Sequence, residues 1–100
     1  MMKVTVLYNQ PADEEAFTRY YQEVHAPMVA ALPLAGFHWG RVVSQADGSP
    51  APYFWTADLF FSDAAAMATT MSTEQAQAVI ADVANFAPEG PAMMLVSEST

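Results

Sequence analysis

Two neighbouring runs, Phe37 to Ser44 and Tyr53 to Phe61, constrain this chain more than any other feature. Their side chains alternate as strands require. In the first, Phe37, Trp39, Arg41 and Val43 share one face, and His38, Gly40, Val42 and Ser44 share the other. In the second, Tyr53, Trp55, Ala57, Leu59 and Phe61 oppose Phe54, Thr56, Asp58 and Phe60. Both faces are mostly apolar, which suits a sheet covered on its two sides. Asp47-Gly48-Ser49-Pro50 is a turn cluster between the two runs.

The flanks repeat one pattern. Lys3 to Tyr8 is a β-branched and aromatic strand. Asn9-Gln10-Pro11-Ala12 breaks it, and Asp13 is placed to cap a helix whose first turn carries Glu14 and Glu15. Phe17, Tyr20, Tyr21 and Val24 recur at helical spacing and predict its buried face. Pro27 disfavours helical geometry at Ala26, so the helix is predicted to end near Val24 or His25. Met28 to Leu32 can form one apolar turn before Pro33. After the central pair, Ser62 or Asp63 caps a second helix. Ser72-Thr73-Glu74-Gln75 fits a capping box for a third, with Ala76, Val79, Ile80 and Val83 as its apolar stripe. Asn85 to Pro91 is a loop, and Ala92 to Ser97 is the last strand.

The order is β-α-β-β-α-β, which predicts an α+β, ferredoxin-like domain over residues 1–100. Its four-stranded antiparallel sheet would carry the helices on one face only. Large apolar side chains from strands two, three and four would then stand on the bare face. A hydrophobic content of 53% in 100 residues is high for so small a chain, and points to apolar surface covered by a second copy. A symmetric dimer joined through the sheet faces would bury it.

Composition also excludes classes of function. Three basic residues, Lys3, Arg19 and Arg41, stand against eleven acidic ones, for a net charge of −8. That is too little positive charge to neutralise nucleic-acid phosphates or to seek an anionic membrane. The absence of cysteine removes disulfides, thiolate metal sites and a cysteine nucleophile. No apolar run approaches a transmembrane length. The opening Met1-Met2-Lys3-Val4 lacks a signal-peptide layout, so a cytoplasmic location is expected.

The sequence resembles one family in particular. The resemblance rests on Tyr20-Tyr21 followed by His25-Ala26-Pro27-Met28, then Gly36, then Pro52-Tyr53 and Ala57-Asp58-Leu59-Phe60-Phe61-Ser62-Asp63, then Ala81-Asp82-Val83-Ala84-Asn85-Phe86. These pieces are similar, in order and spacing, to the EthD-like proteins of the dimeric α+β barrel superfamily. Asp58 stands where the longer Glu is expected, and Ala84 where Pro is common. The resemblance implies a homodimer whose sheets form a central barrel, with a pocket between sheet and helices in each subunit. The wider superfamily includes cofactor-free monooxygenases, lactone isomerases, dehydratases or cyclases of aromatic compounds, and haem-handling proteins. A shared fold does not carry a reaction with it.

His25 is the leading catalytic candidate, because an imidazole titrates near neutral pH and can act as acid or base. The alternative is a helix C-cap. His38 could line the pocket, sit in the dimer barrel or be structural. Asp58, inside an apolar strand, has to be paired or neutral; it either partners a histidine or pairs with Arg41 or backbone. Asp82 and Asn85 could close the last helical segment through side-chain to backbone bonds. Contacts to a ligand are expected from Phe17, Tyr20, Tyr21, Met28, His38, Phe54, Asp58, Asp82 and Phe86. No metal site and no cofactor are expected, since no local two-histidine spacing exists. The sequence therefore predicts a homodimer that binds a small apolar or aromatic molecule. Either it catalyses a cofactor-free oxygenation, isomerisation or lyase step with His25 as acid/base, or it is a non-catalytic accessory protein of an oxidative catabolic pathway. A haem-binding member with His25 as axial ligand is a further alternative.

Overall fold

The computed structural model describes residues 1–99. Strands β1 (Met2–Tyr8), β2 (Gly36–Arg41), β3 (Trp55–Phe61) and β4 (Met93–Glu98) form one sheet in the order β2-β3-β1-β4, and every pairing is antiparallel. Helices α1 (Glu14–Tyr20), α2 (Ala26–Ala30), α3 (Ala64–Met71) and α4 (Glu74–Asp82) complete the predicted α+β, ferredoxin-like arrangement. Each long helix starts where its sequence says. Asp13 accepts a bond from the Ala16 amide at 3.0 Å, and Asp63 one from the Ala66 amide at 2.7 Å. Thr73 caps α4 by accepting from the Ala76 amide at 3.1 Å. The expected Ser72–Gln75 box does not form: the Ser72 hydroxyl donates back to the Ala68 carbonyl, and the Gln75 amide donates to the Ala31 carbonyl.

The core lies between the sheet and the helices. Val4, Val6, Tyr8, Trp55, Ala57 and Phe61 point inward and meet Phe17, Tyr21 and Phe86. Phe61 is 1% exposed. Burying a side chain of that size contributes about 1.5–3 kcal/mol. β2 and β3 are shorter than the alternation suggested. Phe54 leaves the regular ladder, its amide bonding to the Tyr8 carbonyl at 2.8 Å, and its ring packs inward edge-on to Phe17.

The opposite face of the sheet differs from expectation. The register puts Gly36, His38 and Gly40 of β2 there, while Phe37 and Trp39 turn to the helix side beside Leu59 and Ala57. Its apolar groups are Leu7, Phe60, Met93 and Leu95, mixed with Thr5, Thr56 and Asp58. Strand two adds no large apolar side chain to it. β4, at the sheet edge, leaves Met93, Met94, Leu95 and Val96 exposed on both sides. No helix among the described residues is long and apolar enough to cross a membrane.

Candidate functional site

Pro27 does not end the first helix. The chain runs from α1 through a π-helical turn, Tyr21–His25, straight into α2, with Pro27 in the first turn of α2. The Ala26 amide reaches back five residues to the Tyr21 carbonyl. A proline ring would clash with the carbonyl four residues earlier in a tight α-turn. A wider turn is one way to admit it, and π-turns are in effect single inserted residues. The insertion rotates everything after it. Regular α spacing predicts Val24 on the buried face; instead Val24 is 38% exposed and His25 is 3% exposed. His25 therefore points into the core and is not a helix C-cap.

Its Nδ1 meets Asp82 Oδ2 at 2.9 Å. Asp82, the last residue of α4, is itself 8% exposed. Its other oxygen, Oδ1, accepts from the Tyr20 hydroxyl at 2.6 Å and from the Asn85 amide at 3.0 Å. The expected backbone bonds are replaced by three side-chain donors. Phe86 and Tyr21 pack against the imidazole, with ring centroids 4.6 and 5.2 Å away. Burial alone would raise the Asp82 carboxyl; the hydrogen bonds from Tyr20, Asn85 and His25 outweigh it and hold it below its ordinary range. Burial dominates at His25 and holds the imidazole below its ordinary value, while the bond to Asp82 and its charge oppose that shift. The Tyr20 hydroxyl is raised, first by its bond to Asp82 and then by burial. The pair at neutral pH is thus an anionic carboxylate and a neutral imidazole. The carboxylate accepts only, so it fixes the proton on Nδ1 and leaves Nε2 with a free lone pair.

Behind His25, between the sheet and the helices, is a cavity of about 280 Å³. Of its twenty lining residues, only Tyr8, Tyr21 and His25 carry a polar side-chain atom. Burial pushes the Tyr21 hydroxyl well up, and the neighbouring Tyr8 adds to the rise; the Trp55 indole leans toward that hydroxyl and opposes it, yet lies outside hydrogen-bond geometry. Tyr8 is raised by burial alone. The loop after α4 roofs one side, turning at Gly90, whose φ of +80° favours glycine. A volume of about 280 Å³ lies at the lower edge of the roughly 300–1,000 Å³ of pockets for drug-sized ligands.

The sequence candidates separate accordingly. Tyr21 and His25 line the cavity, and Asp82 stands directly behind His25. Phe17, Tyr20 and Phe86 border a second cleft, of about 430 Å³, between α1 and the loop after α4. Phe54 borders a third groove with Arg19 and Arg41, and Met28 is absent from the wall. His38 and Asp58 lie opposite one another in register on the far face of the sheet. There Asp58 accepts from the Thr5 hydroxyl at 2.8 Å, whereas Arg41 sits across from Trp55 on the helix side. Strand alternation separates Asp58 from Arg41, so the expected pair cannot form. Sequence reasoning missed Tyr8, Val29, Met71 and Met94 as wall residues. Only Tyr8 gave a signal, as the last inward position of β1.

Comparison with known proteins gives the family. The model of the EthD domain matches residues 9–90. The chain belongs to the EthD family. It is 34% identical over 100 residues to an uncharacterised 11.0 kDa protein from the thcB–thcC intergenic region of Rhodococcus erythropolis, covering all of this chain and 97% of that one. An EthD family protein from Bacillus halodurans superposes with a TM-score of 0.89 at 26% identity, over 100% of this chain and 99% of the other. A dimeric ferredoxin-like protein from Jannaschia shares the fold, with a TM-score of 0.65 at 18% identity over 100% and 99% of the two chains. The π-turn and the His25–Asp82 pair both lie inside the matched EthD segment.

Proposed function

We propose that this EthD protein is a homodimer that binds a small apolar or aromatic molecule between sheet and helices, and that His25 is the acid/base of a cofactor-free reaction there. The observation that carries this reading is the buried His25–Asp82 pair at the wall of an otherwise apolar cavity. A neutral imidazole with Nδ1–H bound to a carboxylate is a base at Nε2. It would take a proton from a bound C–H or O–H acid. The imidazolium so formed is stabilised by Asp82, which stays ionised, as in other carboxylate–histidine pairs. The proton would then return from Nε2 to another atom of the intermediate, which describes an isomerisation or an elimination. In an oxygenation the carbanion would meet dioxygen instead.

The test is His25→Ala on a substrate found by screening apolar and aromatic compounds. Turnover is expected to fall by about 10²–10⁴-fold with binding largely kept. Unchanged turnover removes His25 from the chemistry. A ligand that binds and is recovered unaltered under every condition supports the accessory role instead.

The dimer is supported by the apolar groups on the far face of the sheet and by the description of the Jannaschia protein as dimeric. Sedimentation equilibrium should give twice the 10.8 kDa chain mass at micromolar concentration, and Leu95→Lys should shift the population toward monomer. A single 10.8 kDa species in the unmodified protein refutes the dimer.

A further inference from the structure

We propose that the cavity takes neutral molecules of about two fused rings bearing one oxygen at the Tyr21–His25 end, and that it excludes the corresponding carboxylates. This rests on the cavity being the ligand site and adds the size, charge and polarity of what enters it.

Size comes from the volume. An apolar cavity of about 150 Å³ holds benzene. The cavity here, about 280 Å³, is roughly twice that. A single ring would leave much of it unfilled, and a third fused ring would extend through its open side into water.

Charge follows from where the cations are. None of the twenty wall residues is Lys or Arg. Lys3 stands on the far face of the sheet, in register with Phe60 and Ser97. Arg19 and Arg41 share an outer groove with Glu14, Glu15 and Glu23. His25 is neutral, and the nearest fixed charge is the Asp82 carboxylate bonded to its far nitrogen. A carboxylate moved out of water into this space meets no counter-ion, and a buried ion without one is strongly disfavoured. The net charge of −8 adds a repulsive field.

Polarity follows from the three polar side chains of the wall, Tyr8, Tyr21 and His25. Among the described residues the Tyr21 O–H finds no acceptor, so it is free to donate. His25 Nε2 is free to accept. A hydroxyl or enol oxygen answers both, accepting from Tyr21 and donating to His25; a carbonyl answers the first and presents its neighbouring C–H to the second. A bare hydrocarbon that displaces water from the cavity leaves these polar atoms without a partner, which costs free energy.

The experiment is calorimetric titration of the full chain, in its native assembly at neutral pH, with 2-naphthol, 2-naphthoate and naphthalene. The three share a ring system and differ in the group under test. We expect 2-naphthol to bind at least about 30-fold more tightly than 2-naphthoate. It should exceed naphthalene by about 10–100-fold, the worth of two net hydrogen bonds. Tyr21→Phe, which keeps the ring and removes the donor, should cut the preference for 2-naphthol over naphthalene by about 3–10-fold, leaving the share that comes from the bond to His25. Equal binding of the naphthol and the naphthoate overturns the charge selection. Equal binding of 2-naphthol and naphthalene, or a naphthol preference that Tyr21→Phe leaves intact, overturns the placement of the oxygen; in all three cases the cavity stands as the ligand site. If none of the three binds, both this inference and the ligand-site reading fall.

Discussion

Asp82→Asn tests the centre of the site, and the structure dictates how the new amide must sit. Asp82 Oδ1 accepts from two donors, the Tyr20 hydroxyl and the Asn85 amide. The carboxamide oxygen therefore has to take the Oδ1 position. Its NH2 then occupies the Oδ2 position, 2.9 Å from His25 Nδ1. Two N–H groups cannot face each other at that distance, so the imidazole proton moves to Nε2 and Nδ1 becomes the acceptor. The geometry survives while the base is lost. A hydrogen bond to an ionised group contributes about 1.5–3 kcal/mol against about 0.5–1.5 for a neutral one, and three bonds change class. Relief from burying a charge offsets part of that loss. We expect a net destabilisation of about 2 kcal/mol, or a fall in Tm on the order of 10 °C for a chain of this size. Thermal unfolding at fixed protomer concentration reads the stability, and ¹⁵N NMR of the ring reads the tautomer. Any general-base turnover should drop by about two orders of magnitude or more. A ring that keeps its proton on Nδ1 in Asp82→Asn, or a Tm that moves by less than about 2 °C, refutes the reasoning.

Two other perturbations reach the same site by different routes. His25 has a lower pKa folded than unfolded, where it titrates near 6.5, so the unfolded chain binds the extra proton. Its contribution is complete above about pH 6.5 and is lost as pH falls through the lower folded value. Tm should therefore drop between pH 7 and pH 5, and His25→Gln should flatten that drop; an equally steep slope in the variant argues against a neutral buried imidazole. Asp82, also lowered, adds its loss at more acid pH, below the ordinary carboxylate range. Deleting the exposed Gln22 should convert the π-turn to an α-turn, leaving Tyr21 and His25 three apart on one face. Pro27 would then clash with the Glu23 carbonyl, a cost of about 3 kcal/mol. Adding Pro27→Ala to the deletion should restore most of it, and a deletion as stable as the intact chain would show that Pro27 does not need the wider turn.

The element order was legible because alternation and capping are local. Val4, Val6 and Tyr8 fall on the inner face of β1, as do Trp55, Ala57 and Phe61 on β3, and Asp13, Asp63 and Thr73 cap by the rules of their side-chain chemistry. The position of His25 in sequence drew attention to it, but its surroundings were misread. Proline stops a helix only if the helix keeps α geometry, and a turn one residue longer avoids the clash. No periodicity announces that insertion, since Val24 fits the apolar stripe as well as any residue could. The roles of Asp82 and Asn85 were hidden for a related reason. A carboxylate at a helix end ordinarily bonds backbone, and only the packing of α4 against the first helix brings Tyr20 and His25 to it. His38 and Asp58 looked like site residues because strand three is apolar on both faces, and alternation alone does not say which face the helices cover.

The π-turn also explains why the site can be buried and still be strong in polarity. A regular helix would centre Val24 on the buried stripe and move His25 to its edge, where an imidazole–carboxylate pair is more exposed, more screened and worth less. The inserted residue trades the two. Phe86 and Tyr21 then close over the imidazole, and Tyr20 and Asn85 hold the carboxylate that would otherwise be too costly to bury. Tyr20 and Asn85 share one carboxylate oxygen, while Tyr21 and Phe86 pack the imidazole against the inner face of the sheet. Stability alone seldom accounts for such a pair, because replacing a buried ion pair with apolar groups of similar volume is often neutral or stabilising. The double substitution His25→Leu with Asp82→Leu decides between the two purposes. We expect a folded protein within about 2 kcal/mol of the unmodified one: two desolvated groups are removed along with their bond, and the part-exposed Tyr20 hydroxyl and exposed Asn85 amide, which lose their acceptor, turn to water. It should bind naphthalene at least as well as before and have no turnover on any substrate of the native chain. Turnover that survives in this variant would mean that the carboxylate–imidazole pair is structural and that the chemistry lies elsewhere.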